Sequence, residues 1–256
     1  MKKFLYILPL LFFLLSQTAH AALSNQPIHW GFKKGANGQQ AEAGAQLDNL
    51  LQKYGGFYKG DPKSKTLYLT FDNGYENGYT VKILDVLKKE KVPAAFFVTG
   101  HYLNSAPELV QRMVKEGHIV GNHSWYHPDL TTNSDADIRQ ELDTVRDRTK
   151  ELTGQKEMKY VRPPRGVLSE RTLKVAKELG YTHVMWSLAF VDWDVNQQKG
   201  WQYSYDNIMK QVHPGAVILL HTISKDNADA LEKVIKDLKK YGYKFKSLDH
   251  LAKTIE

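Results

Sequence analysis

The sequence predicts a parallel α/β protein whose strands close into a distorted (β/α) barrel of about seven strands. Three observations carry that expectation. Short apolar runs alternate about seven times with helical stretches between residues 66 and 245, and such alternation implies parallel strands joined by crossover helices. Polar clusters follow or closely trail these runs, at Thr70-Phe-Asp-Asn-Gly74, His123-Ser-Trp-Tyr-His127, Arg162-Pro-Pro-Arg-Gly166, Asp192-Trp193 and Leu219-Leu-His221, so they open onto one end of a common sheet. That many repeats within roughly 180 residues favour a barrel, closed or incomplete, over an open sheet.

The elements follow in order. Residues 22–62 are rich in Gly, Gln, Asn and Ala, with one helical stretch, Ala41 to Tyr54, that puts Leu47, Leu50 and Leu51 on one face. They read as an N-terminal extension lying on a catalytic domain of residues 63–256. Leu67, Leu69 and Phe71 alternate as a strand, Tyr79 to Lys89 is a helix, and Ala94 to Val98 is a buried strand. Ser105-Ala-Pro-Glu108 joins a capping serine to an early proline and a glutamate, which predicts a helix from Ser105 to Glu116. His118 to Asn122 is the next strand. A polar helix from Ser134 to Thr153 stops at Gly154, strand Tyr160 to Arg162 leads into the double proline, and a helix from Ser169 to Leu179 ends at Gly180. Strand Thr182 to Trp186, a helix before Pro214, strand Ala216 to Leu220, a helix from Asp226 to Tyr241 and strand Tyr243 to Phe245 complete the pattern.

Composition narrows the function. Lys2 and Lys3, an apolar run from Phe4 to Leu15 and Ala19-His-Ala21 form a secretory signal peptide over residues 1–21. The run of 12 residues is short of the ~20 that span a bilayer, although a retained anchor is the other reading. The mature chain is therefore expected outside the cytoplasmic membrane. It has no cysteine, which excludes a disulfide-framed miniprotein and fits a domain large enough to bury its own core. The formal charge of +7 falls to +5 without the two leader lysines, and the remaining lysines scatter over helix faces. No basic stripe interleaved with aromatics supports nucleic-acid binding.

Asp72 ends an apolar strand, where a carboxylate is placed for general-base work or merely caps a turn. His123 and His127 stand four residues apart on a turn, since Pro128 biases His127 away from helical backbone, and two neutral imidazoles can converge on one divalent metal. Plainer readings stay open beside these. Arg162 and Asp192 could form a structural ion pair, Trp193 could be core or a sugar-stacking surface, and His221 could be a satisfied buried histidine.

The five clusters, in this order from residue 70 to residue 221, resemble the polysaccharide deacetylases, the carbohydrate esterase family four or NodB-homology domain, over about residues 63–251. Within that family the chain is similar to secreted Bacillus-type N-acetylmuramic acid deacetylases, whose product becomes muramic δ-lactam in spore cortex. Tyr68-Leu-Thr-Phe-Asp-Asn-Gly-Tyr-Glu-Asn-Gly-Tyr79, Phe97-Val-Thr-Gly-His101, Gly117-His-Ile-Val-Gly-Asn-His-Ser124, Ala189-Phe-Val-Asp-Trp193 and Ile28-His-Trp-Gly-Phe32 carry the narrower likeness. The resemblance implies metal-assisted hydrolysis of an N-acetyl group. Asp72 would be the base, His123 and His127 metal ligands, and His221 the acid, with Asp192 holding His221 protonated and Arg162 orienting a carboxylate. The N–H of Arg165 would stabilise the oxyanion, and Leu219 and Trp193 would wall the acetyl pocket.

Two departures matter. Most members carry an aspartate as third metal ligand where this chain has Asn73, a neutral and weaker donor, so the metal, zinc with cobalt or manganese as alternatives, is expected to be weakly held. Many relatives carry an aromatic residue at Arg165, and a guanidinium there favours an anionic sugar such as muramic acid with its lactyl group free; a surface arginine paired with one of the chain's own acids is the plainer reading. Peptidoglycan glycan strands are then the substrate, an amidase that strips stem peptides acts upstream, and the chain works as a monomer. The rivals are deacetylation of N-acetylglucosamine in peptidoglycan or chitin, removal of O-acetyl groups from xylan, and a glycan-binding protein with weakened catalysis.

Overall fold

The computed structural model describes residues 23–255, so the signal peptide expected over residues 1–21 lies outside the described residues. The elements run β1 (Ile28–His29), α1 (Ala45–Tyr54), β2 (Thr66–Asn73), α2 (Thr80–Glu90), β3 (Ala94–Val98), α3 (Gly100–Ser105), α4 (Pro107–Lys115), β4 (Ile119–Asn122) and α5 (Asp135–Thr153). They continue with β5 (Tyr160–Val161), β6 (Val167–Leu168), α6 (Glu170–Glu178), β7 (Thr182–His183), α7 (Trp201–Gln211), β8 (Val217–His221), α8 (Lys225–Lys240), β9 (Lys244–Phe245) and α9 (Leu248–Ile255).

Seven of the strands form one parallel sheet in the order β7-β5-β4-β3-β2-β8, with β9 paired to the start of β2. The sheet curls until its edges meet. Past β7 the chain continues to Ser187, whose N–H donates to the Val217 carbonyl (3.0 Å), and Leu219 N–H donates to the Leu188 carbonyl (3.0 Å). The result is the distorted barrel that the alternation of elements predicts.

Strand β2 shows how the barrel divides its faces. Leu67, Leu69 and Phe71 pack outward in the main core under the helices, with Phe71 stacked on Phe96 (5.1 Å between centroids). Tyr68, Thr70 and Asp72 point the other way, as a period of two requires. At the lower end the interior is filled by Phe57, Tyr68, Phe97, Tyr160, Val217, Leu248 and Leu251; at the upper end it turns polar.

Local chemistry sets most helix starts. Ser134 with Asp137 and Ser169 with Thr172 form capping boxes for α5 and α6, and Ser224 caps α8. The helix expected from Ser105 to Glu116 is present as α4, and a short helix, α3, that the sequence pattern did not mark precedes it. Thr99 caps α3, its Oγ1 accepting from Tyr102 N–H, and α3 runs to Ser105, so Ser105 closes that helix and does not cap α4. Ala106 then leaves the helical region (φ −140°), and Pro107 starts α4 without needing a donor. The Ser105 hydroxyl donates to the His101 carbonyl. Among the described residues no helix is long and apolar enough to cross a membrane.

The segment before β2 holds to the barrel by its backbone. β1 pairs antiparallel with β6, Phe57 N–H donates to the His183 carbonyl, and Gly60 N–H to the Gly215 carbonyl.

Candidate active site

All the polar clusters stand at the C-terminal ends of the parallel strands. Asp72 and Asn73 end β2, His123 follows β4, Arg162 follows β5 and His221 ends β8. Asp72 is the register partner of His221 on one side and of Phe97 on the other. A cleft of ≈ 890 Å³ opens there, lined by Asp72, His123, His127, Arg165, Trp193, Leu219 and His221, a size suited to a sugar-sized ligand. Arg162, Asp192 and Asn73 do not line it; each sits behind its wall.

Asp72 and Arg162 form a buried ion pair. Arg162 Nη1 donates to Asp72 Oδ1 (2.8 Å), Nη2 to Thr70 Oγ1 (2.9 Å) and Nε to the Val184 carbonyl (2.9 Å). The guanidinium lies over the Phe97 ring, 4.2 Å from its centroid. It is fully buried. Burial alone would push the Asp72 carboxyl up, but the Arg162 charge, with His123 and His221, outweighs it and holds the group below the usual carboxylate range. A base kept ionised is the chemical consequence. Arg162 thus pairs with Asp72, and the alternative pairing with Asp192 is not formed.

The two histidines converge. Ser124 and His127 both adopt left-handed backbone (φ 64° and 58°), held by Ser124 N–H on Asn122 Oδ1, His127 N–H on Ser124 Oγ and Tyr126 N–H on Glu141 Oε2. His123 Nδ1–H donates to the Arg162 carbonyl (2.8 Å), which leaves Nε2 unprotonated. That Nε2 stands 3.2 Å from His127 Nε2 and 3.5 Å from Asp72 Oδ2. Desolvation pushes both imidazoles down, His127 to about 4, so both are neutral, as a metal requires.

Two nitrogens bound to one tetrahedral zinc stand about 3.4 Å apart for Zn–N of about 2.05 Å, close to the spacing present. The third donor differs. Among the described residues no three His, Cys, Asp or Glu side chains gather as a metal site. Asn73 Nδ2 donates to Thr222 Oγ1 (2.8 Å), no hydrogen bond joins Asn73 to either histidine, and its Oδ1 is buried without a partner. The two convergent neutral imidazoles fit a weakly held cation, and Asn73, behind the wall of the cleft with its Oδ1 unpartnered, is the candidate third donor. We expect dialysed protein to recover metal stoichiometry and activity on adding Zn²⁺ or Co²⁺, and Asn73→Asp to bind either more tightly. Titration calorimetry checks this, and equal affinity in both proteins would remove Asn73 from the donor set.

His221 faces the cleft from β8. Its Nδ1–H donates to Asp192 Oδ1 (2.7 Å), and its backbone N–H and Asn227 Nδ2 occupy Asp192 Oδ2 (2.8 and 2.5 Å). Burial pulls the imidazole down, but the Asp192 charge and hydrogen bond, aided by Asp72, raise it above the ordinary histidine range. A proton donor therefore stands beside a proton acceptor, on the neighbouring strand.

Arg165 lies on the turn after the two prolines, itself left-handed (φ 57°) and followed by left-handed Gly166 (φ 67°). Its N–H is the first that the segment can offer. Leu219 is a buried wall of the cleft, whereas Trp193 is 56% exposed and stands at the rim. Tyr75, Trp125, Tyr126, Trp186 and Phe190 also line the cleft. Thr222, Asn227 and Glu141 orient its groups without any local sequence signal that would have singled them out.

The pattern of the polysaccharide deacetylase family matches residues 59–184. The chain is 58% identical over 230 residues to the peptidoglycan-N-acetylmuramic acid deacetylase PdaA of Bacillus subtilis, covering 90% of this chain and 88% of that one. It is 34% identical to a peptidoglycan-N-acetylglucosamine deacetylase of Bacillus cereus, over 80% of this chain and 74% of that one. The solved structure of B. subtilis PdaA, a family 4 carbohydrate esterase, superposes with a TM-score of 0.90 at 57% identity, covering 91% of this chain and 100% of that one.

Proposed function

The chain belongs to the polysaccharide deacetylase family, and from that membership we propose that it removes N-acetyl groups from the N-acetylmuramic acid residues of peptidoglycan. The observation that carries the mechanism is the presence of two ion pairs, Asp72 with Arg162 and His221 with Asp192, at the ends of neighbouring strands in one cleft.

Deacetylases of this family are in general metal-dependent, and His123 and His127 with Asn73 would hold a divalent ion, which when bound polarises the acetamide carbonyl and acidifies water. Asp72 takes a proton as water adds to the carbonyl carbon. The Arg165 N–H donates to the oxygen that becomes anionic. His221 Nε2 gives its proton to the nitrogen as the C–N bond breaks, releasing acetate and leaving a free amine on the sugar. Asp192 keeps His221 protonated and fixes its ring, and Arg162 keeps Asp72 ionised. Leu219, with Trp193 at the rim, receives the acetyl methyl.

Catalysis needs His221 protonated and its pKa is raised, so kcat is expected to fall as pH rises through a value above the ordinary imidazole one. Asp192→Asn removes the main raising charge and should move this alkaline limb toward lower pH. A pH–rate series on both proteins checks it; an unmoved limb would separate Asp192 from the acid.

The substrate choice rests on Arg165. Its guanidinium pairs with the lactyl carboxylate of muramic acid, which is charged only where no stem peptide is attached. An amidase therefore acts first, and the amine set free closes with the lactyl carboxyl into muramic δ-lactam, the modification of spore cortex. This work lies outside the cytoplasmic membrane, to which the leader at residues 1–21 directs the chain. A charge-assisted contact of this kind is worth roughly 1.5–3 kcal/mol, so Arg165→Ala should cost about ten- to a hundredfold in kcat/KM on peptide-free muramic glycan. Its effect on N-acetylglucosamine oligomers should be small. Equal losses on both would return the assignment to an N-acetylhexosamine deacetylase.

A further inference from the structure

The N-terminal segment reaches the site through one residue. Trp30 N–H donates to the Gly166 carbonyl (2.8 Å), directly beyond the β1–β6 pairs Ile28 with Leu168 and His29 with Val167. Its indole Nε1–H donates to the Trp186 carbonyl (3.0 Å), and its ring packs edge-on against Tyr58 and Trp186 (5.0 and 6.4 Å between centroids). Gly166 and Trp186 both line the cleft. A Cβ on Gly166 would stand 2.8 Å from the Trp186 ring and 3.2 Å from Trp30 Cβ. The turn is therefore wedged between the two indoles.

Arg165 needs such support. An L-residue in left-handed backbone is disfavoured and persists only where its surroundings over-determine it. Here two successive left-handed residues point Arg165 into the cleft, and the only described partners that clamp the far side of Gly166 come from Trp30 and Trp186.

We propose that Trp30 is a positioning residue for substrate recognition, which acts through Gly166 and Trp186 to hold the Arg165 N–H and guanidinium toward the scissile acetamide and the muramic carboxylate. This rests on the role given to Arg165 above. Trp30 touches no substrate. It makes the segment before the barrel part of the specificity machinery, although the family pattern begins only at residue 59.

A double-mutant cycle on the full chain tests it. Trp30→Ala should lower kcat/KM on peptide-free muramic glycan about tenfold, the size of one left-handed backbone penalty. In an Arg165→Gly background, where the backbone adopts the left-handed turn unaided, Trp30→Ala should cost less than about twofold. Trp30→Phe keeps ring packing but loses the indole bond, and should fall between wild type and Trp30→Ala; it also serves if the alanine variant does not fold. Equal losses from Trp30→Ala in both backgrounds, tracking thermal stability, would overturn the proposal and leave Trp30 a structural residue. Unchanged activity in Arg165→Gly alone would instead overturn the role of Arg165, and the positioning role with it.

Discussion

Asp72→Asn and His221→Ala are each expected to lower kcat by about two to four orders of magnitude. The two side chains end neighbouring parallel strands as register partners, so they face the same acetamide from adjacent positions. Asparagine keeps an oxygen for Arg162 Nη1 but cannot take a proton, which isolates the base function from the hydrogen bond. His221→Ala leaves Asp192 with its Asn227 and backbone donors, so the fold should persist while the departing amine has no proton source. Acetate release measured well below the melting temperature, with circular dichroism on each variant, checks both. Near-wild-type rates in either would remove that residue from the mechanism.

Arg162→Met is expected to destabilise the protein by roughly 3–5 kcal/mol, because it strands the buried Asp72 charge without its partner, and the melting temperature should drop by on the order of 10 °C. Arg162 has three hydrogen bonds and no exposed surface, so no solvent replaces what is lost. Adding Asp72→Asn to this variant removes the stranded charge and should recover part of the loss. If the double variant melts no higher than the single, Arg162 acts by packing on Phe97 and not through Asp72.

The barrel was legible because its strands are apolar runs separated by capped helices, and the seven runs expected correspond to β2, β3, β4, β5, β7, β8 and β9. The site was legible where a polar residue ends such a run: Asp72, His123, Arg162 and His221 all do so. What escaped detection is set by contacts distant in sequence. Thr222 meets Asn73 across 149 positions and Trp30 meets Trp186 across 156, separations over which no local spacing carries information. The short helix α3 escaped because its six residues, Gly100–Ser105, are too few to show a hydrophobic period. The exposure of Trp193 depends on a loop path that periodicity does not describe.

The most direct measurement is mass spectrometry of defined peptidoglycan glycan fragments after incubation with the metal-loaded enzyme, comparing fragments with free lactyl groups and fragments that carry stem peptides. We expect loss of acetyl from muramic acid residues in the peptide-free fragments, little loss where peptides are attached, and none from the neighbouring N-acetylglucosamine. Deacetylation at N-acetylglucosamine, with muramic acid left acetylated, would contradict the assignment.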